Sequence, residues 1–417
     1  MTAVAPTSIG LTRWFWSAPP EARRALLAAG IGWMLDAFSV MLYALVLAAL
    51  IIDFDMPMAT AGFLASLTLA SSAVGGLLFG VVADRYGRKR GLIASILTYS
   101  VFTGACGLAQ SVTQLGIFRM FLGLGMGGQW ASGAALVSEM WPAEDRGKAL
   151  GLMQSSWALG YGAAAILTAL VLPVWGWRPV FFAGGLPAFF AIWVGIRVEE
   201  PAIWHRAKAR PQSARRGVAD LFRGDLLRLT VALTATQSFS KFAWWGFSLW
   251  VPAYLSLPVE SGGIGLSTLG ATGLIVAMQI GMWFGYVTYG FAGDAFGRKR
   301  TYVTYLLMAA ALLVAYTTTR NALVLLVLLP LAAFFGAGYA SGFGVITAEI
   351  YPTDIRATGQ GFTYNTSRVA SAVAPFAAGS LAQEHGFAPM FLVSSAAFAL
   401  AAVCWIWIPE TRGRVLE

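Results

Sequence analysis

The chain has 417 residues, 58% of them hydrophobic and only 11% charged, with a formal net charge of +9. Soluble globular chains carry about 25% charge, which excludes a soluble domain here. The excess cations fall in alternate short segments between long apolar runs, a topology-setting pattern that also argues against nucleic-acid binding.

Residues 1–24 read as a cytoplasmic N-terminal tail with no apolar core ending in a small-residue cleavage site, so the first span is expected to stay in the protein. Trp14, Phe15 and Trp16 beside Arg13 suit either an interfacial anchor or a plain tail. A bilayer crossing needs roughly 20 apolar residues. Six such runs lie near 25–50, 59–83, 91–109, 114–140, 147–174 and 178–196. Six more lie near 229–255, 266–292, 301–319, 322–350, 357–383 and 387–408. They divide the chain into an N-terminal six-helix bundle (25–197), a cytoplasmic linker rich in arginine (198–228), a C-terminal six-helix bundle (229–408) and a cytoplasmic tail (409–417). The expected fold is all-α and integral to the membrane: twelve transmembrane helices in two pseudo-symmetric bundles. Lysine and arginine concentrate in the tails, the linker and the loops on one side, so both termini are expected in the cytoplasm.

Two charged turns carry the duplication. Gly80–Arg90 and Gly290–Arg300 both contain Asp, Gly, Arg, Lys and Arg in the same order, at an offset of 294 − 84 = 210 residues. Glu139 and Glu349, Pro142 and Pro352, Arg146 and Arg356, and Glu200 and Glu410 keep that offset, the signature of a repeated unit. Two halves with a cavity between them at mid-membrane suit alternating access. Gly123, Gly125, Gly127 and Gly128 superficially match a dinucleotide loop, but they lie inside a spanning run without a strand before them and read as helix-packing glycines.

Four ionisable residues fall inside the spans: Asp36, Arg119, Lys241 and Arg368. Such groups are costly in lipid and are usually paired and functional. At about 1.5 Å rise per residue all four reach one level. Asp36 and Arg119 are expected to pair, either as the proton-coupling element or as a permanent structural ion pair. One negative and three positive charges call for an anion. Arg368 suits a carboxylate clamp and Lys241 an attracting charge, unless either is spent on backbone carbonyls. Gln129, Gln154, Gln237, Trp244, Tyr364 and Asn365 are the polar and aromatic residues expected to line the pocket around them.

Gly80, Asp84, Arg88, Glu139 and Arg146, with Asp294, Arg298, Glu349 and Arg356, are expected to form gates that close the cytoplasmic side. The aspartates would meet free N–H groups at a neighbouring helix start, and the arginines would add charge-assisted bonds. These contacts are expected only when that side is shut.

The two turns, with Glu139…Pro142…Arg146-Gly147 and Glu349…Pro352…Arg356, resemble the markings of the major facilitator superfamily over both halves of the chain. The run Phe118 to Trp130, Leu136 to Pro142, Trp175-Gly-Trp177-Arg178 and Tyr364-Asn365…Arg368 resemble its sialate and metabolite–proton symporter branch. Members of that branch carry Glu where this chain has Gln129. The resemblance implies a secondary transporter of the cell's inner (plasma) membrane, taking up a small organic anion such as a monocarboxylate, a sugar acid or an aromatic acid. It also implies that Asp84 caps the eleventh helix and, by the repeat, that Asp294 caps the fifth. The expected coupling ion is a proton, with no cofactor and no metal, and the expected working unit is a monomer in the lipid bilayer. The alternative is a proton-driven antiporter exporting hydrophobic or drug-like compounds, against which stand the positive layer and the lack of a Gly-Pro pair in residues 151–173. An enzyme is not expected: His205 and His385 lie in loops without a nucleophile–base arrangement.

Overall fold

In a lipid environment each backbone polar group needs an internal partner, which favours helices for such apolar runs. The computed structural model describes residues 11–141, 145–200, 218–352 and 355–412, and no strand occurs among them. The first half holds α1 (Leu11–Ser17), α2 (Pro20–Asp53), α3 (Met58–Tyr86), α4 (Arg88–Cys106), α5 (Val112–Met140), α6 (Arg146–Trp175), α7 (Trp177–Ala183) and α8 (Ala188–Arg197). The second holds α9 (Gly224–Ser248), α10 (Val251–Ser256), α11 (Thr268–Phe296), α12 (Arg298–Thr317), α13 (Ala322–Gly338), α14 (Ala340–Ile350), α15 (Arg356–His385) and α16 (Phe387–Cys404). Eight segments among the described residues are long and apolar enough to cross a bilayer by themselves. With α4, α5, α9 and α15 they make the twelve crossings. The arginines of the expected linker at 201–217 lie outside the described residues.

Three crossings expected as continuous are interrupted. The α7–α8 crossing tightens into i→i+3 bonding, with Gly184 N–H donating to Phe181 O at 2.9 Å. The α9–α10 crossing breaks at Leu249–Trp250, just before Pro252, which has no N–H to continue the ladder. The α13–α14 crossing breaks at Tyr339. The N-terminal tail is also more fixed than a plain tail: Trp14 is buried against Trp141, with ring centroids 4.7 Å apart, and Trp141 Nε1–H donates to Ala22 O at 2.8 Å.

Helix starts are capped differently on the two faces of the bundle. On one face the caps are local: Ser111, Ser267 and Asn321 accept from Gln114, Gly270 and Leu323 N–H at 3.2, 3.2 and 2.9 Å. On the basic-turn face α4 and α12 begin after Gly87 and Gly297, whose φ values of +117° and +100° favour glycine. Their caps come from far along the chain. Glu200 accepts from Lys89 N–H at 3.2 Å. Glu410 accepts from Arg298 and Lys299 N–H at 2.8 and 3.2 Å. The 210-residue offset thus recurs in the structure as two carboxylates closing two equivalent helix starts.

The halves meet along two seams, α3 with α15 and α6 with α11. Away from the basic turns the first seam is tight. A Cβ on Gly62 would lie 2.3 Å from Pro375 O, so only glycine permits this approach. Gln383 Oε1 accepts from Ala59 N–H at 3.1 Å, and Ser66 Oγ accepts from Phe376 N–H at 3.0 Å. Towards the basic turns the seams part: a Cβ on Gly80 or Gly290 would meet nothing within 4 Å.

Candidate functional site

The mid-membrane polar residues form two separate groups. Arg119 on α5 is 1% exposed and turns towards the tight end of the bundle. Its guanidinium carbon lies 3.6 Å from the centre of the Tyr43 ring, and its Nε–H donates to Leu64 O at 3.3 Å. Asp36 on α2 is fully buried, and neither carboxylate oxygen has a hydrogen-bond partner. The expected Asp36–Arg119 ion pair is therefore not formed. Nor do all four charges share one level: Arg119 sits beside Tyr43, seven residues or about two helix turns beyond Asp36 on α2, held by an aromatic face and a backbone carbonyl.

Arg368, Tyr364 and Asn365 lie on one turn of α15 at the seam. Arg368 Nη1–H donates across the seam to Ser72 O of α3 at 3.4 Å, and Gly76, one turn further on, leaves room for it. Lys241 Nζ, from α9, stands 3.6 Å above the centre of the Tyr364 ring and donates to Tyr364 O at 3.3 Å. Arg368 faces the same ring at 5.4 Å. On the N-terminal side Trp130 stacks on Tyr364 at 4.0 Å. Two basic side chains thus converge on one tyrosine at the seam.

The other expected pocket residues divide. Gln129 is fully buried one turn from Asp36, packed on Gly32; its Oε1 accepts from Ser95 Oγ–H at 3.3 Å and its Nε2 has no partner. Asn365 Nδ2–H donates to Gly361 O at 2.9 Å, with Oδ1 facing Gly76. Gln154 meets Tyr286 across the second seam. Gln237 and Trp244 are turned into the C-terminal half: Gln237 accepts from Tyr302 Oη–H at 3.2 Å, and Trp244 packs on Gly336 and Phe247. Trp245, the next residue, is the one that crosses the seam, meeting Trp157 edge-on at 6.1 Å.

Two residues at the second seam were not singled out by their sequence. Gln279 on α11 is 4% exposed with neither amide atom partnered, and it packs against Gly162 of α6. Tyr286 lies two turns along the same helix. A lone glutamine in an apolar run was the available signal for the first.

The gate residues behave differently from expectation. Arg88 Nε–H donates to Glu139 Oε1 at 3.0 Å. Arg298 meets Asp294 at 2.7 Å and Glu349 at 3.5 Å, and Thr411 Oγ1–H donates to Glu349. These pairs lie within single halves and are made while Gly80 and Gly290 touch no opposite helix, so they do not require the basic side to be shut. Asp294 is 70% exposed and pairs with Arg298 one turn along. The side chains of Asp84, Arg146 and Arg356 lie outside the described residues.

A duplicated twelve-crossing bundle with a polar seam at mid-membrane is a carrier architecture, and comparison with known proteins decides which. The model of the Major Facilitator Superfamily matches residues 29–278 and 257–416. The chain belongs to that superfamily. Among its relatives is the cis,cis-muconate transport protein of Acinetobacter baylyi, 33% identical, with 91% of this chain and 92% of the relative covered. Another is the sialic acid transporter of Escherichia coli K12, 27% identical over 93% and 94%. The solved D-xylose-proton symporter superposes with a TM-score of 0.76 at 20% identity, covering 94% of this chain and 99% of that one, a likeness of fold. This superfamily chain is a multi-pass membrane transporter of a small molecule, not an enzyme, and its metabolite-transporting relatives include the sialate carrier that the motifs resembled.

Proposed function

We propose that this transporter imports a small organic anion together with a proton across the inner membrane, with both termini in the cytoplasm. The observation that carries the reading is the convergence of Lys241 and Arg368 on Tyr364, with the buried carboxylate of Asp36, unpartnered among the described residues, on the facing half. A buried surplus of positive charge recruits a carboxylate. Arg368 and Lys241 each donate to a backbone carbonyl, of Ser72 and Tyr364, through long bonds of 3.4 and 3.3 Å. Guanidinium matches a carboxylate in bidentate fashion, so an arriving anion displaces the Ser72 contact, with Arg368 as the clamp and Lys241 the second cation. An anion seated on Arg368 would oppose a second, ionised carboxylate at Asp36, so anion binding and protonation of Asp36 favour each other. Anion and proton then bind cooperatively and cross together, which is symport by mutual stabilisation. The names of the muconate and sialic acid relatives support a carboxylate cargo.

On this reading the structure is an inward-facing but occluded arrangement: the outer seam is tight, the halves are parted at Gly80 and Gly290, and the Trp130–Tyr364 stack still closes the site. Site and seams lie within one chain, so a single copy suffices for the cycle. The exporter alternative, for hydrophobic or drug-like compounds, gives no use to two basic side chains converging at the seam.

Thermal stabilisation of the purified protein by a panel of carboxylates and their neutral amides tests the reading. Carboxylates should raise Tm and the matching amides should not. Equal stabilisation by both sets would remove the anion from the account.

A further inference from the structure

On the basic-turn face of the C-terminal half, a crevice of about 700 Å³ opens between the start of α12 and the chain beyond α16. Phe296, Val303 and the methyl-bearing Thr304 form one side, and among the described residues Lys299, Arg300 and Arg412 bring three cations against a single carboxylate, Glu410. That carboxylate is already committed. Its oxygens accept from the N–H groups of Arg298, Lys299, Thr411 and Arg412 at 2.8, 3.2, 3.0 and 3.0 Å. Lys299 Nζ–H donates to Ile408 O at 2.8 Å. Arg300 and Arg412 are the exposed cations of the crevice.

The crevice does not end at the protein–water boundary. From Arg300 an exposed strip follows the helical period along α12 through Thr304, Leu307, Met308, Ala311 and Val314. On the neighbouring α16 side, Leu400, Val403, Ile406 and Trp407 are also exposed. Two apolar strips therefore run from a cationic mouth into the depth of the bilayer.

We propose that this crevice seats an anionic phospholipid of the leaflet on the basic-turn side. Its phosphate lies between Arg300 and Arg412, and one acyl chain follows the strip from Thr304 to Ala311. Arginine pairs phosphate oxygens through its planar fork, and the apolar strip gives the chain a surface that a soluble phosphate ester would leave unused. A zwitterionic choline headgroup would bring a second positive charge against the same surplus, so the site selects for net negative headgroups.

Native mass spectrometry of the full chain, with phosphatidylglycerol and phosphatidylcholine of identical acyl chains, tests this. A cation near an anionic lipid surface is worth about 1 kcal/mol, so two arginines predict a preference for phosphatidylglycerol of about tenfold or more. The double variant R300Q/R412Q should lose that preference, and R300K/R412K, which keeps both charges, should regain most of it. R223Q, altering an exposed cation elsewhere that pairs with Asp220, should leave it unchanged. Equal retention of both lipids by the wild type would overturn the proposal. So would a preference that survives R300Q/R412Q, or one lost equally in R223Q. Displacement of the lipid by glycerol phosphate at matching affinity would show a soluble-anion site instead.

Discussion

Trp130 of α5 lies flat on Tyr364 of α15, with ring centroids 4.0 Å apart and planes 9° from parallel. One ring comes from each half, so the stack is a bond across the seam. The opposite face of Tyr364 carries Lys241, and the Tyr364 carbonyl receives its Nζ–H. Trp130 therefore connects the clamp residues to the relative position of the halves. Gln154 occupies the repeat position of Tyr364 (364 − 154 = 210) and meets Tyr286 across the other seam. Both contacts lie between the clamp and the parted basic face, where a carrier needs a barrier that opens for release.

Removing the Trp130 ring should loosen that barrier. Aromatic pairs contribute about 0.5–1.5 kcal/mol beyond their burial, up to about a tenfold shift in a two-state equilibrium. Trp130→Ala should speed maleimide labelling of a cysteine placed at Asn365 by several-fold. An unchanged labelling rate would mean that the stack does not limit access.

Asp36 should behave as a coupling group rather than a structural one. Since no donor holds either oxygen, Asp36→Asn should leave Tm unchanged or raise it, as replacing an uncompensated buried charge often does. The same variant should lose uphill uptake and retain exchange. A large fall in Tm would show that the carboxylate has a structural partner after all.

The two buried arginines should separate by assay. Arg368→Lys should weaken anion binding roughly ten- to hundredfold, on charged hydrogen bonds contributing about 1.5–3 kcal/mol. Arg119→Leu should lower Tm through loss of the Tyr43 and Leu64 contacts, while the surviving folded protein binds anion normally. If Arg119→Leu abolished binding without loss of stability, the roles assigned here would be reversed.

Glu410 gives a pH signature outside the membrane. Burial alone would push its carboxyl up, but the N–H groups of Arg412, Arg298, Lys299 and Thr411 outweigh it and hold the group below its ordinary value of 4.5. A carboxyl held low in the folded state contributes stability above its unfolded pKa and loses it as pH falls through the folded one. The Tm difference between wild type and Glu410→Gln should be constant at neutral pH and shrink below about pH 4.5. A difference that grows on acidification would contradict the capping role.

The crossings and the duplication were legible because a bilayer demands long apolar runs and because Gly80–Arg90 and Gly290–Arg300 are too similar to miss. The nearness of Lys241 and Arg368 was legible from helical rise, but the expected common level of all four charges was not kept, since Arg119 reaches Tyr43 and Leu64 nearer the tight end. The partners of the buried charges were not legible, because rise fixes depth but leaves rotation about the helix axis open. Arg119 was expected beside Asp36, yet it faces Tyr43, about two turns beyond Asp36 on α2. Trp244 and Trp245 differ by one residue, about 100° of helix, and only the second meets the opposite half. Glu200 and Glu410 were visible as markers of the repeat, but their task as caps depends on the folded return of each half to its own basic turn.

The central claim is that a net positive seam couples an organic anion to a proton. Uptake of a labelled carboxylate that stabilises the protein, into proteoliposomes with an imposed inward proton gradient, tests it most directly. The account predicts accumulation above the external concentration, abolished by a protonophore and absent in Asp36→Asn. Uptake that only equilibrates, with the gradient making no difference, would contradict it.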